Sequence, residues 1–258
     1  MLYFVVDAFS EHLFGGNPAG VCILDAPVPH ARMQQIAAEN NLSETAFLLR
    51  MEDHYKLRWF TPKAEIDLCG HATLGTAFII KNFVDREASQ MRFATKSGML
   101  YVHVRGKTYV LDFPTRMPKL IPVTEEMAQA IGAKPVEAHL SRDLMLVLHS
   151  EEEVKSLKPD AQKPLALEPG LGVIVTAKGS THDFVSRCFF PKMGILEDPV
   201  TGSAHCNLIP YWAERLGKTE MTAAQLSARG GVLCCAHKGK RVEIGGKAVL
   251  YLQGELAV

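Results

Sequence analysis

No apolar run in this sequence approaches the roughly 18–20 residues that a membrane-spanning helix needs, because charged residues break the longest candidates early. A membrane partner is not expected. There is no lysine or arginine before Arg32, and Asp7 interrupts the apolar opening. Neither a secretory leader nor an Arg-rich transit peptide is therefore read at the N-terminus, and the cytoplasm is the expected compartment. Surplus charge is missing too: 28 Lys and Arg stand against 28 Asp and Glu. No cation excess is left to release counterions from a phosphate backbone, so nucleic acid is not an expected partner. The six cysteines (22, 69, 188, 206, 234 and 235) form no CxxC pair and no zinc-ribbon spacing, and they read as reduced thiols. What remains is a globular composition, 47% hydrophobic and 22% charged over 258 residues, long enough for two domains.

The chain repeats itself. Phe60-Thr61-Pro62-Lys63 through Ile66 aligns with Phe189-Phe190-Pro191-Lys192 through Ile195, with the prolines 129 residues apart (62 to 191), half the chain length. After the insertion Pro199-Val200-Thr201, Gly70-His71-Ala72 meets Gly202-Ser203-Ala204. Further on, Gly98-Met99-Leu100 and Gly106-Lys107 meet Gly231-Val232-Leu233 and Gly239-Lys240. Anchors in one order with slowly drifting offsets predict a duplication, with halves at 1–116 and 117–258 and the last few residues able to pair back onto the first half.

Each half reads mostly as strand. In the first, β-branched and aromatic segments span 2–8, 20–25, 45–50, 56–60, 98–104 and 108–113. In the second they fall near 144–149, 172–177, 183–190, 232–237, 241–244 and 248–252. Helices are predicted at 31–39, 71–83, 124–131, 150–156 (opened by the capping box Ser150-Glu151-Glu152-Glu153) and 203–216. The segment His71-Ala72-Thr73-Leu74-Gly75-Thr76-Ala77-Phe78-Ile79-Ile80 is apolar or small all round, and a helix without a polar face must be covered on every side. Its counterpart, Cys206 to Ala213, contains Pro210, which is expected to kink or restart it. The predicted fold class is α+β: two pseudo-twofold-related domains, each a curved, barrel-like sheet around one central apolar helix.

Duplicated halves are expected to face one another across a cleft that gathers the two helix starts. A helix N-terminus carries unpaired N–H groups and roughly half a positive charge, so Gly70 and Gly202 are candidate substrate-binding positions for a small carboxylate. Around them lie Cys69, His71, Asp198, Ser203 and His205, with Asp198 at the repeat position of Cys69. A thiol just before a helix start is where acidity is expected to increase, although Cys69 reads equally well as core filler. Asp198 is a candidate acid/base or a helix cap. His71 is disfavoured as a cation at a helix start and is expected to act as a neutral hydrogen-bonding group. His205 reads as structural. Glu44 is a carboxylate entering an apolar strand, where burial favours proton uptake, as a general base requires; the alternative is a solvated turn residue. The loop Phe14 to Gly20 lacks a nucleotide-binding pattern and reads as a tight turn that offers Asn17 to the site.

Together these segments resemble the phenazine-biosynthesis isomerase-like (PhzF-like) family, relatives of diaminopimelate epimerase. The matching pieces are Asp7-Ala8-Phe9 with Gly16-Asn17-Pro18-Ala19, Asn41-Leu42-Ser43-Glu44-Thr45-Ala46-Phe47, Arg58-Trp59-Phe60-Thr61-Pro62, Leu68-Cys69-Gly70-His71-Ala72-Thr73, Ser186-Arg187 and Glu197-Asp198-Pro199-Val200-Thr201-Gly202-Ser203-Ala204. The resemblance implies a homodimer with an active site that uses no cofactor and no metal. It also implies that Glu44 removes and returns a proton on a small carboxylic acid, assisted by His71, Asp198 and Ser203. Asn17, Cys69, Gly70 and Gly202 would then hold the substrate. The epimerase relatives carry Cys at both repeat positions; here one is Asp198, so a two-thiol mechanism is not expected. Two other readings are a binding protein on the same fold and a metal-dependent hydrolase built on Cys69, His71, Asp198 and His205.

Overall fold

The computed structural model describes residues 1–158 and 167–258. The chain divides into two compact units, Met1–Asp112 with Gly245–Val258, and Phe113–Ile244. The sequence suggests a boundary after 116; here the first unit closes at Asp112, and the chain returns to it at Gly245. That return has a clear cause, since the last strand Ala248–Glu255 runs antiparallel along Leu2–Ala8, from Glu255 opposite Leu2 to Ala248 opposite Ala8.

In the first unit, strands β1 (Leu2–Ala8) and β2 (Asn17–Leu24) are antiparallel. Helix α1 (His30–Asn40) then crosses to β3 (Glu44–Arg50), which lies parallel to β2 with Ala19 opposite Glu44. β4 (Tyr55–Phe60) pairs antiparallel with β3 and with the short β5 (Glu65–Ile66). Helix α2 (Gly70–Ile79) leads to β6 (Gln90–Thr95), parallel to β4, followed by β7 (Gly98–Arg105) and β8 (Thr108–Pro114) in antiparallel hairpins.

The second unit repeats this grammar. β9 (Lys119–Ile121), helix α3 (Glu125–Ile131), β10 (Glu137–Leu140) and β11 (Leu144–Val147) are followed by helix α4 (Glu151–Ser156) and β12 (Val173–Lys178), parallel to β11. β13 (Phe184–Phe190) is antiparallel to β12 and to the short β14 (Ile195–Asp198). Helix α5 (His205–Leu216) leads to β15 (Glu220–Gln225), parallel to β13, then β16 (Gly231–Lys238) and β17 (Arg241–Gly246), after which the chain rejoins the first unit as β18 (Ala248–Glu255). The fold is α+β, with mixed sheets and few helices.

Helix α2 meets the sequence expectation: every residue from Gly70 to Ile79 except Phe78 is buried, and the helix packs on β1, β2, β3 and β18. Helix α5 differs from expectation, for it runs unbroken through Pro210 after a single 3-10 turn at Gly202–Ala204. Proline there leaves the carbonyl of Cys206 without its helical donor, and the backbone N–H of Arg116 supplies one at 2.9 Å. Ser150 opens α4 as expected, accepting from the Glu153 N–H at 3.2 Å, but the Glu153 carboxylate reaches back to the N–H of His149 at 3.1 Å rather than to that of Ser150.

Two bidentate ion pairs recur along the chain, with their arginines 129 positions apart (58 to 187), the spacing of the sequence repeat, and their glutamates 132 apart (65 to 197). In the first unit Arg58 donates from Nε and Nη2 to Glu65 at 2.7 and 2.9 Å, with its guanidinium 5.2 Å from the Phe60 ring. In the second Arg187 donates to Glu197 at 2.7 and 2.9 Å, 5.3 Å from the Phe189 ring. The Arg58 guanidinium, against the opposing effect of burial and with help from Lys96, holds Glu65 down to about 2 from 4.5. A carboxyl depressed in the folded state stabilises fully above its unfolded value and loses that contribution as pH falls through the folded one. The stability gap between wild type and Glu65→Gln, read from urea midpoints, should therefore be constant above about pH 4.5 and shrink as pH falls toward about 2; a gap independent of pH would contradict the pairing.

Candidate functional site

In the first unit three of the sequence candidates come together. Glu44 opens β3, and Cys69 and His71 flank the first residue of α2, Gly70. A carboxylate oxygen, a thiol sulfur and an imidazole nitrogen, one from each residue, lie within 4.8 Å of one another, and all three side chains are buried. His71 Nε2 is 3.1 Å from Glu44 Oε2, while His71 Nδ1 lies 3.2 Å from Asn17 Nδ2 and 3.5 Å from Cys69 Sγ. The loop that delivers Asn17 depends on Gly16, whose φ is +64° and whose place cannot take a side chain, since a Cβ would fall 2.1 Å from the Ala8 carbonyl oxygen.

The electrostatics overturn two expectations. Cys69 is not acidified by the helix start: complete burial raises its thiol, and the nearby Glu44 charge raises it further, against the weaker pull of His71. It remains a thiol at neutral pH. His71 is not driven neutral by the helix start either. Burial lowers it, but facing anionic groups more than offset this and hold it well above its ordinary value. The groups that raise it are Cys69 first and then Glu44, whose carboxylate at 3.1 Å outweighs a diffuse helix dipole. The charged ring faces Glu44 with Nε2 as an ion pair at 3.1 Å; from Nδ1 it donates toward Cys69 or, with the amide turned end for end, toward Asn17. The arrangement is a buried acid/base pair that can hold or pass one proton.

Carboxylate, imidazole and thiol also form a set that can ligate a divalent metal. The hydrolase reading shares Cys69 and His71 with this set but not Glu44, and adds Asp198 and His205, which belong to the second unit. His205 is fully buried, its Nδ1 is 2.9 Å from the Thr201 carbonyl, and burial pushes it down to about 4, so it is a neutral structural histidine.

In the second unit Asp198 ends β14 and accepts from the Thr201 hydroxyl at 2.6 Å. Gln225, fully buried on β15, ties this turn together: Nε2 donates to the Asp198 carbonyl at 2.8 Å and Oε1 accepts from the Thr201 N–H at 2.8 Å. Gly202 and Ser203 begin the 3-10 turn before α5, and Ser203 Oγ accepts from Arg142 Nη2 at 3.1 Å. Sequence reading missed Thr201, Gln225 and Arg142 as site neighbours. Only Thr201 carried a signal, as the insertion between the repeats.

The position equivalent to Glu44 can be found from strand register. Glu44 precedes Thr45, which faces Phe60; Gly172 precedes Val173, which faces Phe189, the repeat partner of Phe60. A Cβ at Gly172 would lie 2.3 Å from the Phe190 ring. Sterics exclude a side chain, and with it a second base, at that position.

Comparison with known proteins adds the following. Residues 6–254 match the PhzC-PhzF family, described as phenazine biosynthesis-like protein. The chain is 51% identical over 252 residues to an uncharacterized isomerase of Pseudomonas aeruginosa, covering 97% of this chain and 96% of the relative. It is 39% identical over 281 residues to phenazine biosynthesis-like domain-containing protein 2 of Mus musculus, covering 98% of each. Among solved structures, a PhzF-family protein of Enterococcus faecalis superposes with a TM-score of 0.98 at 52% identity, covering 100% of this chain and 99% of that one. A probable proline racemase of Agrobacterium radiobacter, 10% identical, shares the fold with a TM-score of 0.65, over 100% of this chain and 93% of that one.

Proposed function

Because the chain belongs to the phenazine biosynthesis-like PhzC-PhzF family, in which relatives at about half identity are named isomerases, we propose that it isomerises a small carboxylic acid by moving one proton with protein groups alone. Glu44 is the acid/base. Its carboxylate takes a proton from a carbon made acidic by the substrate's carboxyl or by conjugation, the electron pair shifts into the substrate's π system, and the resulting carboxylic acid returns the proton at another carbon. Substrate and product then differ only in the position of hydrogen and double bond. His71 faces the Glu44 oxygen and stabilises the carboxylate before the first transfer and after the second. Asp198 and Ser203 assist from the second unit, and the backbone at Gly70 and Gly202 receives polar groups of the substrate.

The observation that carries this reading is the buried pair of Glu44 and His71 at 3.1 Å. The elevated thiol of Cys69 and the side-chain-free position of Gly172 support a single base over a flanking pair. The test is proton exchange in D₂O, followed by NMR over a panel of small amino, hydroxy and cyclohexadiene carboxylic acids. Deuterium should enter a carbon-bound position of one of them in the presence of the protein; exchange in none of them contradicts the proposal.

Cys69 should also be chemically quiet. Among the cysteines only Cys234 is exposed. A native-state titration with a bulky disulfide reagent should label one thiol per chain, and Cys234→Ser should reduce that to none; fast labelling of Cys69 would contradict its assignment as a buried thiol.

A further inference from the structure

We infer that Arg142 is the residue that recognises the substrate's carboxylate, an inference that rests on the isomerase reading above and adds to it the group that holds the acid. In the first unit the segment entering β2 supplies an amide, Asn17, to His71 at the start of α2. In the second unit the segment entering β11 supplies a guanidinium, Arg142, to Ser203 just before α5. The guanidinium is held in place from behind. Asp143, 1% exposed, accepts from Nε at 3.3 and 3.1 Å and from Nη2 at 2.8 Å.

Several donors around this guanidinium lack acceptors. No acceptor among the described residues meets Arg142 Nη1, and the side chain keeps 34% of its surface. Ser203 Oγ receives its bond from Arg142, so the hydroxyl proton is left to give. One turn along α5, Asn207 accepts from Ser141 Oγ at 2.7 Å while its Nδ2 is buried with no acceptor. The surrounding field is positive as well. After burial itself, the groups acting on Cys206 in the first turn of α5 are three guanidinium groups, Arg116, Arg142 and Arg241, against the single carboxylate of Asp143. Donors without acceptors in a positive field select an anion; with one edge of the guanidinium fork held by Asp143, Nη1, the Ser203 hydroxyl and the Asn207 amide remain as separate donors, enough for the two oxygens of a carboxylate.

The probes are benzoate and its uncharged counterpart benzamide, titrated calorimetrically into wild type, Arg142→Lys, Glu44→Gln and the double variant Arg142→Met/Asp143→Asn. The double variant removes the fork without stranding a buried carboxylate. Wild type should bind benzoate at least about tenfold more tightly than benzamide, and the double variant should lose about 10- to 100-fold in benzoate affinity, as expected for charge-assisted hydrogen bonds. Arg142→Lys should fall between, keeping charge without the fork, with far-UV dichroism reporting that each variant is folded. Glu44→Gln should keep the preference for benzoate over benzamide, since the fork is intact. Equal affinity for the two probes, no binding of benzoate to wild type, or undiminished binding by a folded double variant each overturns the assignment. Exchange by wild type in none of the panel acids, alongside benzoate binding that depends on Arg142, would overturn the isomerase reading and leave the carboxylate site standing.

Discussion

Glu44→Gln should lower the exchange rate of the responsive substrate by about 10²- to 10⁴-fold, the contribution of a positioned general acid/base, while the protein stays folded. The substitution keeps shape and hydrogen-bonding capacity and removes the ability to accept a proton. It has a second readout in the unliganded protein. Burial alone lowers His71, and the Glu44 charge helps to hold it up, so the imidazolium should lose its proton at lower pH in Glu44→Gln than in wild type, as followed by ¹H–¹⁵N NMR of the ring. A His71 titration unmoved by the substitution would mean that the two side chains are not coupled.

Arg187→Met should cost about 3–5 kcal/mol of stability, the loss expected when one partner of a buried ion pair is removed. Arg187 is 8% exposed and every donor nitrogen is committed: Nε and Nη2 to Glu197, and Nη1 to the carbonyls of Val154 and Leu157 at 3.4 and 2.7 Å. Removing the guanidinium strands a carboxylate and two carbonyls at once. By calorimetry the melting transition should drop by on the order of 10 °C, given about 2–4 °C per kcal/mol for chains of this size. Arg58→Met, at the same place in the repeat, should cost less. Its partner Glu65 keeps Lys96 at 2.8 Å, and the Arg58 side chain is already 36% exposed. Equal losses for the two would contradict the view that the buried carbonyls set the difference.

The sequence carried the parts of the fold that depend on local pattern. The covering of α2 followed from the lack of any charged residue between His71 and Ile80, and the long β-branched strands were readable for the same reason. The short or polar strands Glu65–Ile66, Gln90–Thr95, Lys119–Ile121, Glu137–Leu140, Ile195–Asp198 and Glu220–Gln225 carried too little apolar alternation to be seen. Pro210 was read as a breaker because its remedy, the Arg116 N–H, lies far away in sequence.

The site shows the same divide. Glu44, His71 and Asn17 could be singled out by type and placement, but the protonation of Cys69 and His71 could not. It depends on a carboxylate some 25 residues upstream whose distance no spacing rule contains. Arg58, Arg187 and Glu197 stood inside the family motifs without a role, and their pairing emerged only in three dimensions. Arg142 lay outside every motif.

The central claim is that one base, Glu44, moves the proton and Cys69 stands by as a thiol. The measurement that tests it most directly is the deuterium exchange rate of one responsive substrate, taken side by side for wild type, Glu44→Gln, Cys69→Ser and Asp198→Asn. Exchange should all but vanish in Glu44→Gln and persist within about tenfold of wild type in Cys69→Ser, since a positioned base is worth far more than that. Exchange that survives in Glu44→Gln but disappears in Cys69→Ser or Asp198→Asn would contradict the claim and make the repeat-related pair at positions 69 and 198 the bases.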